Sequence, residues 1–301
     1  MTIRYGAHVA VQDVDADLPS GCVGLLGRNG AGKTSILKAL LGLVRPAAGE
    51  LSIAGVPRGA SAVELRRHVG YMPERDGLLP GLNGYETVRL AAELSGIPAR
   101  IAARRAHEVL WYVELGEQRY RPVAGYSAGM RQKVKLAVAL VHDPSIVFLD
   151  EPTNGLDPDG RRDLLALVAS LARDFGKTVV LSTHILPDVD RVCSDVVVLE
   201  KGRVVAKGRV ADLTRGVARR FRVEVDDHQD GVCAALSSAG ALDVAREDDQ
   251  RLLVTLPDSV PIAALFAAAA RAGASVHSLV EERRSLAEVF LGAIGDAEGI
   301  A

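Results

Sequence analysis

The segment Gly27-Arg28-Asn29-Gly30-Ala31-Gly32-Lys33-Thr34 follows the order Gly-x-x-x-x-Gly-Lys-Thr, the consensus of a phosphate-binding loop. Glycines let successive backbone N–H groups turn inward around an anion, and a helix starting behind the loop adds its positive end. In this pattern Lys33 is placed to reach the β- and γ-phosphates of a nucleotide, and the Thr34 hydroxyl can ligate Mg²⁺. The expected nucleotide-binding stretch runs from Gly27 to Ser35. A second candidate, Asp150-Glu151, closes the apolar run Ile146-Val147-Phe148-Leu149. An interior parallel strand reads this way and delivers its carboxylates at the C-terminal sheet edge, where such sheets bind ligands. There Asp150 would hold Mg²⁺, usually through water, and Glu151 would be free to orient and polarise an attacking water. On its own a strand ending in Asp-Glu is more often a surface turn; the glycine-rich loop upstream changes that reading. A third segment, Tyr126-Ser127-Ala128-Gly129-Met130, precedes a helical stretch. Ser127 is a good N-cap and Gly129 permits close backbone approach, so the segment is either a helix N-terminus able to meet an anion or an ordinary capped helix.

The elements that must position these residues follow from periodicity. Cys22–Leu26 is a short apolar run directly before the glycine-rich loop. Ile36, Leu37, Leu40, Leu41 and Val44 then recur at helical spacing until Gly42 and Pro46 stop the helix. Strands are expected over 50–54 and 66–73, the latter ending in Pro73-Glu74. From 76 to about 144 the pattern turns helical, with helices at 85–95, 101–115 and 130–141. Strand 146–150, helix 160–175, strand 178–182, helix 186–193 and strand 196–200 follow. Alternating strands and helices predict an α/β sheet with a helical insertion over 76–144. Composition shifts near Thr214–Arg220, where Arg215, Arg219 and Arg220 crowd a linker-like stretch. Beyond it the order is strand 221–225, helix 231–239, strands 242–245 and 251–256, helix 262–272, strand 275–280 and helix 286–294. This βαββαβ order suits a small α+β domain over 216–301 behind a first domain over 1–215.

Composition sets the outer bounds. At 48% hydrophobic and 25% charged residues the 301-residue chain has ample core, which excludes a disordered, collagen-like or disulfide-scaffold protein. The formal net charge of −2 does not call for nucleic acid. The basic clusters at Arg104-Arg105 and Arg219-Arg220-Arg222 read as solvated faces. Cys22, Cys193 and Cys233 are far apart, with no C-x-x-C, which suits a reducing compartment and argues against structural zinc. Neither a leader-like apolar run nor an 18-residue apolar span is present, so no export leader and no membrane crossing are expected.

With these segments in hand, the arrangement resembles the nucleotide-binding domain of ATP-binding cassette (ABC) proteins, a P-loop NTPase fold. Tyr126–Met130 stands where that family has its signature loop, just upstream of Asp150-Glu151. The resemblance implies further roles in order along 1–210. Tyr5 would stack on adenine, and Glu74 would occupy the Q-loop glutamine position as a metal- or water-contacting group. Asp157 would lie in the D-loop, Pro152–Pro158, and His184 would be the switch histidine. The lesser alternatives are that Tyr5 is a packed edge-strand aromatic and His184 a satisfied strand-end histidine. The chain departs from the family at Glu74, where a carboxylate replaces an amide that can donate, and in the signature, where Ala128 and Met130 replace glycine and glutamine. Ser127 and Gly129, nearest the phosphate in the family, are kept.

The spelling Tyr-Ser-x-Gly-Met-Arg-Gln and the ending Ser285–Leu291 resemble the export branch, in which the ATPase is a chain separate from its membrane subunit. The resemblance therefore implies Mg²⁺-dependent ATP hydrolysis that powers an exporter. It also implies a dimer, homomeric or with a close paralogue, in which Ser127, Ala128, Gly129 and Met130 act in trans. An integral-membrane permease partner, no nucleic acid, and a cytoplasmic position on the inner face of the membrane complete the expectation. Importer ATPases, soluble cassette ATPases acting on ribosomes or nucleic acid, P-loop kinases and GTPases, and an ATP-binding regulator are the other classes. One P-loop, no extended heptads, and the retention of Glu151 and His184 separate the chain from most of them.

Overall fold

A computed structural model describes residues 1–53, 56, 61–75, 77–214, 218–226, 229–282 and 285–290. The chain divides into two compact units, one over Met1–Val210 and a second that begins at Ala211.

The first unit opens with the antiparallel pair β1 (Ile3–Tyr5) and β2 (His8–Val11). Strand β3 (Cys22–Gly27) is buried at every position and leads into α1 (Lys33–Leu40). Then come α2 (Ala62–His68), β4 (Val69–Met72), α3 (Gly84–Leu94), α4 (Ala99–Tyr112) and α5 (Ala128–Leu140). The unit ends with β5 (Ile146–Asp150), α6 (Pro158–Arg173), β6 (Thr178–Thr183), α7 (Leu186–Val192), β7 (Asp195–Glu200) and β8 (Arg203–Arg209). Six strands form one sheet in the order β4-β5-β6-β3-β7-β8, with every pair parallel except β7–β8. Helical crossovers between parallel strands bring the ends of β3, β4, β5 and β6 to one sheet edge, where ligands of such sheets bind. Leu25, Leu37, Phe148, Val180, Val197 and Leu199 build the core between α1 and the sheet.

A short helix, α8 (Val210–Leu213), precedes the second unit's sheet. There β9 (Ala218–Val225), α9 (Gln229–Ser238), β10 (Asp243–Arg246), β11 (Arg251–Pro257), α10 (Ala263–Ala272) and β12 (Val276–Glu282) follow one another. The strands pair antiparallel in the order β10-β11-β9-β12, a split-βαβ sheet whose buried face carries Phe221, Val223, Leu252 and Val254 beneath Leu236 and Leu265.

Several sequence expectations are corrected. Described residues 50–53 form no strand; Leu51 and Ile53 instead bury against the core without a ladder partner, and Ala54 lies outside the described residues. The strand expected over 66–73 shrinks to β4 because α2 occupies its first half. Ser61 caps that helix by accepting the Glu64 N–H at 3.2 Å, and Arg66, Arg67 and His68 complement the dipole in its last turn. Strands β1, β2 and β8 were not anticipated. The final helix is seen over 286–290, while 291–294 and linker residues 215–217 lie outside the described residues. Among the described residues no helix is long and apolar enough to cross a membrane.

Candidate functional site

The glycine-rich loop is built by steric exclusion. A Cβ on Gly27 would stand 2.5 Å from the Leu199 carbonyl oxygen, so the strand can leave the sheet there only without a side chain. Gly32 caps α1 at φ 103°, and a Cβ there would also stand 2.8 Å from the Ala10 oxygen. Lys33 is the first helical residue and turns back over the loop. Its ammonium donates to the Gly27 oxygen at 2.6 Å and the Arg28 oxygen at 3.3 Å, and it pairs with Glu151 Oε1 at 3.3 Å. Both side chains of that pair are buried.

Strand β5 delivers the carboxylates. Asp150 accepts from Thr34 Oγ1 at 3.0 Å, from Ser182 Oγ at 2.9 Å and from the Tyr71 phenol at 3.3 Å. Burial, reinforced by the adjacent Asp150 charge, pushes the Tyr71 phenol far up, so Tyr71 stays a proton donor here at any working pH. Glu151 follows with φ 48°, a left-handed backbone that a non-glycine residue adopts at a cost of about 1–2 kcal/mol. The turn is held by the Glu151 N–H donating to the Ser182 oxygen at 2.8 Å. Glu151 Oε2 accepts from Thr183 Oγ1 at 3.3 Å and lies 2.9 Å from His184 Nδ1. The Glu151 carboxylate therefore sits between a lysine and an imidazole at the end of the central strands, an arrangement suited to orienting water beside a bound phosphate.

An open cavity of about 460 Å³ runs along these groups. It is lined by Tyr5, His8 and Ala10 on one side, by residues 29–35 along the loop, and by Glu74 and Glu151. The structure thus brings Tyr5, Asn29, Gly30, Ala31, Gly32, Lys33, Thr34, Ser35, Glu74 and Glu151 to one wall-and-floor arrangement. Asp150 lies behind it through Thr34, His184 reaches it through Glu151, and Arg28, next to Asn29, is exposed and not part of the lining. The Lys135 ammonium donates to the Glu74 carbonyl at 2.9 Å, which anchors the loop after β4 to α5. His8 was missed by sequence reasoning. The only signal for it is the Tyr5-Gly6-Ala7-His8 turn, with Gly6 at φ 59°, that folds β2 back beside Tyr5.

Ser127, Ala128, Gly129 and Met130 do not reach this cavity. Ser127 is the exposed N-cap of α5, accepting the Met130 N–H at 3.2 Å, and a Cβ on Gly129 would meet nothing nearer than Ser127 Oγ at 4.0 Å. Asp157 is likewise exposed, at the N-cap of α6. The N-terminus of α5 at Ser127 is therefore exposed and lies outside the cavity.

The glycine loop behind a central parallel strand, with Asp150 tied to the loop's threonine, defines a P-loop nucleotide triphosphatase. The family described as ABC transporter matches residues 11–154. The chain is 38% identical over 210 residues to the Nod factor export ATP-binding protein I of Cupriavidus metallidurans, covering 69% of each chain. It is 36% identical over 299 residues to the daunorubicin resistance ATP-binding protein DrrA3 of Streptomyces coeruleorubidus, covering 97% of this chain and 93% of that one. Among solved structures it is similar to the ATP-binding cassette of a dimeric post-hydrolysis state bound to ADP and Pi. That match has a TM-score of 0.62 and 26% identity, over 69% of this chain and 95% of the other. The chain belongs to the ABC transporter ATP-binding family; it binds ATP and is an ATPase of that family.

Proposed function

We propose that the chain is the ATP-hydrolysing subunit of an exporter and that it works as a pair of cassettes beneath a separate membrane permease. The observation that carries this reading is the split between the cavity, which holds Lys33 and Glu151, and the open N-terminus of α5 at Ser127, which lies outside it. A loop that covers phosphates from one side leaves the other side to a second helix N-terminus, supplied by a partner cassette. The names of the two relatives, one an export and the other a resistance ATP-binding protein, support the direction of transport.

Each residue then has a task. The N–H groups of residues 27–35 and the Lys33 ammonium bind the triphosphate, and Tyr5 packs against the base. The Thr34 hydroxyl and Asp150 carboxylate are hard oxygen donors 3.0 Å apart and fit Mg²⁺, with Glu74 on the same wall as a water-mediated contact. When bound, that ion neutralises charge on the β- and γ-phosphate oxygens. Glu151 orients and polarises the attacking water, and His184 supports it and contacts the γ-phosphate. Glu74 reports nucleotide state to the helical insertion, and Asp157 sits at the face between cassettes. An apolar groove of about 220 Å³, lined by Leu78, Leu79, Leu90 and Leu94 next to Pro73, is the seat for a cytoplasmic helix of the permease. We assign 1–215 to the ATPase domain and 216–301 to an accessory domain. The chain sits in the cytoplasm at the membrane's inner face, held by the permease.

ATP should close the pair, and ADP, which lacks the γ-phosphate, should leave it open. The test uses Glu151→Gln to prevent turnover and light scattering to read the mass. More dimer is expected with ATP than with ADP, and Ser127→Arg should abolish the difference. A chain that stays monomeric with ATP even when co-purified with its permease contradicts the two-cassette reading.

A further inference from the structure

Behind the reacting edge lies a second cross-link between the two loops that carry Glu151 and His184. Asp188, in the first turn of α7, is 1% exposed, and Thr153, in the loop after β5, is 2% exposed. Thr153 Oγ1 donates to Asp188 Oδ2 at 2.5 Å, and Arg161 Nε on α6 donates to Asp188 Oδ1 at 2.5 Å. A carboxylate so fully removed from water is costly unless it is paired and hydrogen-bonded, and here each oxygen has its own short, charge-assisted partner. A helix-dipole role alone would leave the group at the surface, where acids of a first helical turn normally sit.

The positions of the partners give the cross-link its meaning. Thr153 lies two residues after Glu151, and Asp188 four residues after His184. Beyond the bonds at the strand ends, the segments after β5 and β6 are therefore tied at Glu151–His184 over 2.9 Å and, through the first turn of α7, at Thr153–Asp188 over 2.5 Å. The second tie is dry, whereas the first meets the cavity through Glu151, and its His184 side chain is 42% exposed. We infer that Asp188 is a positioning residue for ATP hydrolysis: through Thr153 it fixes the loop that holds Glu151 against His184, with Arg161 locking the carboxylate in place. This rests on the proposed role of Glu151. A misplacement of about 1 Å in a catalytic group costs on the order of 10²-fold in rate. Loss of the dry tie should consequently act on turnover more than on ATP binding, because Thr153 and Asp188 make none of the contacts that Lys33 makes with Gly27, Arg28 and Glu151.

The experiment uses the full chain, with steady-state ATPase and calorimetric ATP binding. Thr153→Val keeps the shape and removes only the hydroxyl. It should lower kcat by about tenfold or more with the Kd for ATP within about twofold, and Thr153→Ser should restore kcat to within about threefold. Asp188→Ala should produce a similar loss, and the double variant should lose no more than the worse single one. Thr153→Val carries the test where Asp188→Ala does not fold. A Thr153→Val kcat within twofold of the parent overturns the inference. So does a Thr153→Ser variant as impaired as Thr153→Val, or losses that multiply in the double variant. If Glu151→Gln hydrolyses ATP normally, the catalytic assignment itself fails; if Glu151→Gln is inactive while Thr153→Val is unaffected, the positioning role alone fails.

Discussion

Gly24 lies in the middle of β3, and its missing side chain is what lets α7 seat on the sheet. A Cβ there would stand 2.7 Å from Val189 Cγ1 and 3.1 Å from Cγ2, so Gly24→Ala falls about 0.7 Å short of ordinary contact. Val189 is fully buried, which leaves its methyls no free direction. Overpacking of this kind costs about 1–3 kcal/mol, which in a unit of this size lowers Tm by roughly 2–10 °C. Val189→Ala alone removes two buried methyls at a cost of about 2 kcal/mol. Together the changes should cost clearly less than their sum, because the new methyl enters the space the old ones leave. Thermal unfolding of the four proteins in the cycle measures this coupling. The same cycle read in ATPase should show Gly24→Ala lowering kcat, since α7 carries Asp188 just beyond His184, and Val189→Ala partly restoring it. Additivity within about 0.5 kcal/mol would refute the seating argument.

Two further outcomes follow from the site and its supports. Glu74→Gln should leave substantial ATPase, whereas Glu74→Ala should impair transport in reconstituted vesicles more than nucleotide binding; normal transport by Glu74→Ala contradicts the reporting role. His142, at the end of α5, is held below the ordinary histidine value of 6.5 chiefly by burial, with Lys177 and Arg105 adding to the effect against the Val69 carbonyl and Asp143. Below that value the unfolded chain takes up a proton that the folded chain resists, so stability is full above about pH 6.5 and falls as pH drops beneath it. Tm measured between pH 8 and 5.5 should therefore fall less in His142→Gln than in the parent, and parallel slopes would contradict the sign.

How much of this was legible in the sequence depends on the range of the interaction. The loop from Gly27 to Thr34 was readable because its chemistry sits within eight consecutive residues between a strand and a helix. Strand β5 matched its expected bounds because an interior parallel strand, buried from Val147 to Asp150, reads as a continuous apolar run. Strand β8 was not readable. Arg203–Arg209 is an antiparallel edge with no fully buried residue, specified mainly by its pairing with β7. The helix at Ala62–His68 carries no buried residue, so no apolar stripe marked it, and its Ser61 cap was the cue passed over. Within the site, spacing could name Thr34 and Asp150 but not join them across 116 residues. The left-handed turn at Glu151 leaves no trace in residue types, since glutamate is an unusual occupant of that backbone. Asp188 reads as an ordinary surface acid after Pro187 at a helix start, and only its contacts with Thr153 and Arg161 reveal that it is buried.

The central claim is that Glu151 does the chemistry while Lys33 and its loop do the binding. Paired measurement of ATP affinity and steady-state hydrolysis in Glu151→Gln, with Lys33→Ala as the counterpart, tests it most directly. The account predicts that Glu151→Gln keeps the parent's affinity for ATP while turnover falls by about 10²–10⁴, and that Lys33→Ala loses affinity itself. Parent-level hydrolysis by Glu151→Gln, with contaminating ATPase excluded, would contradict it.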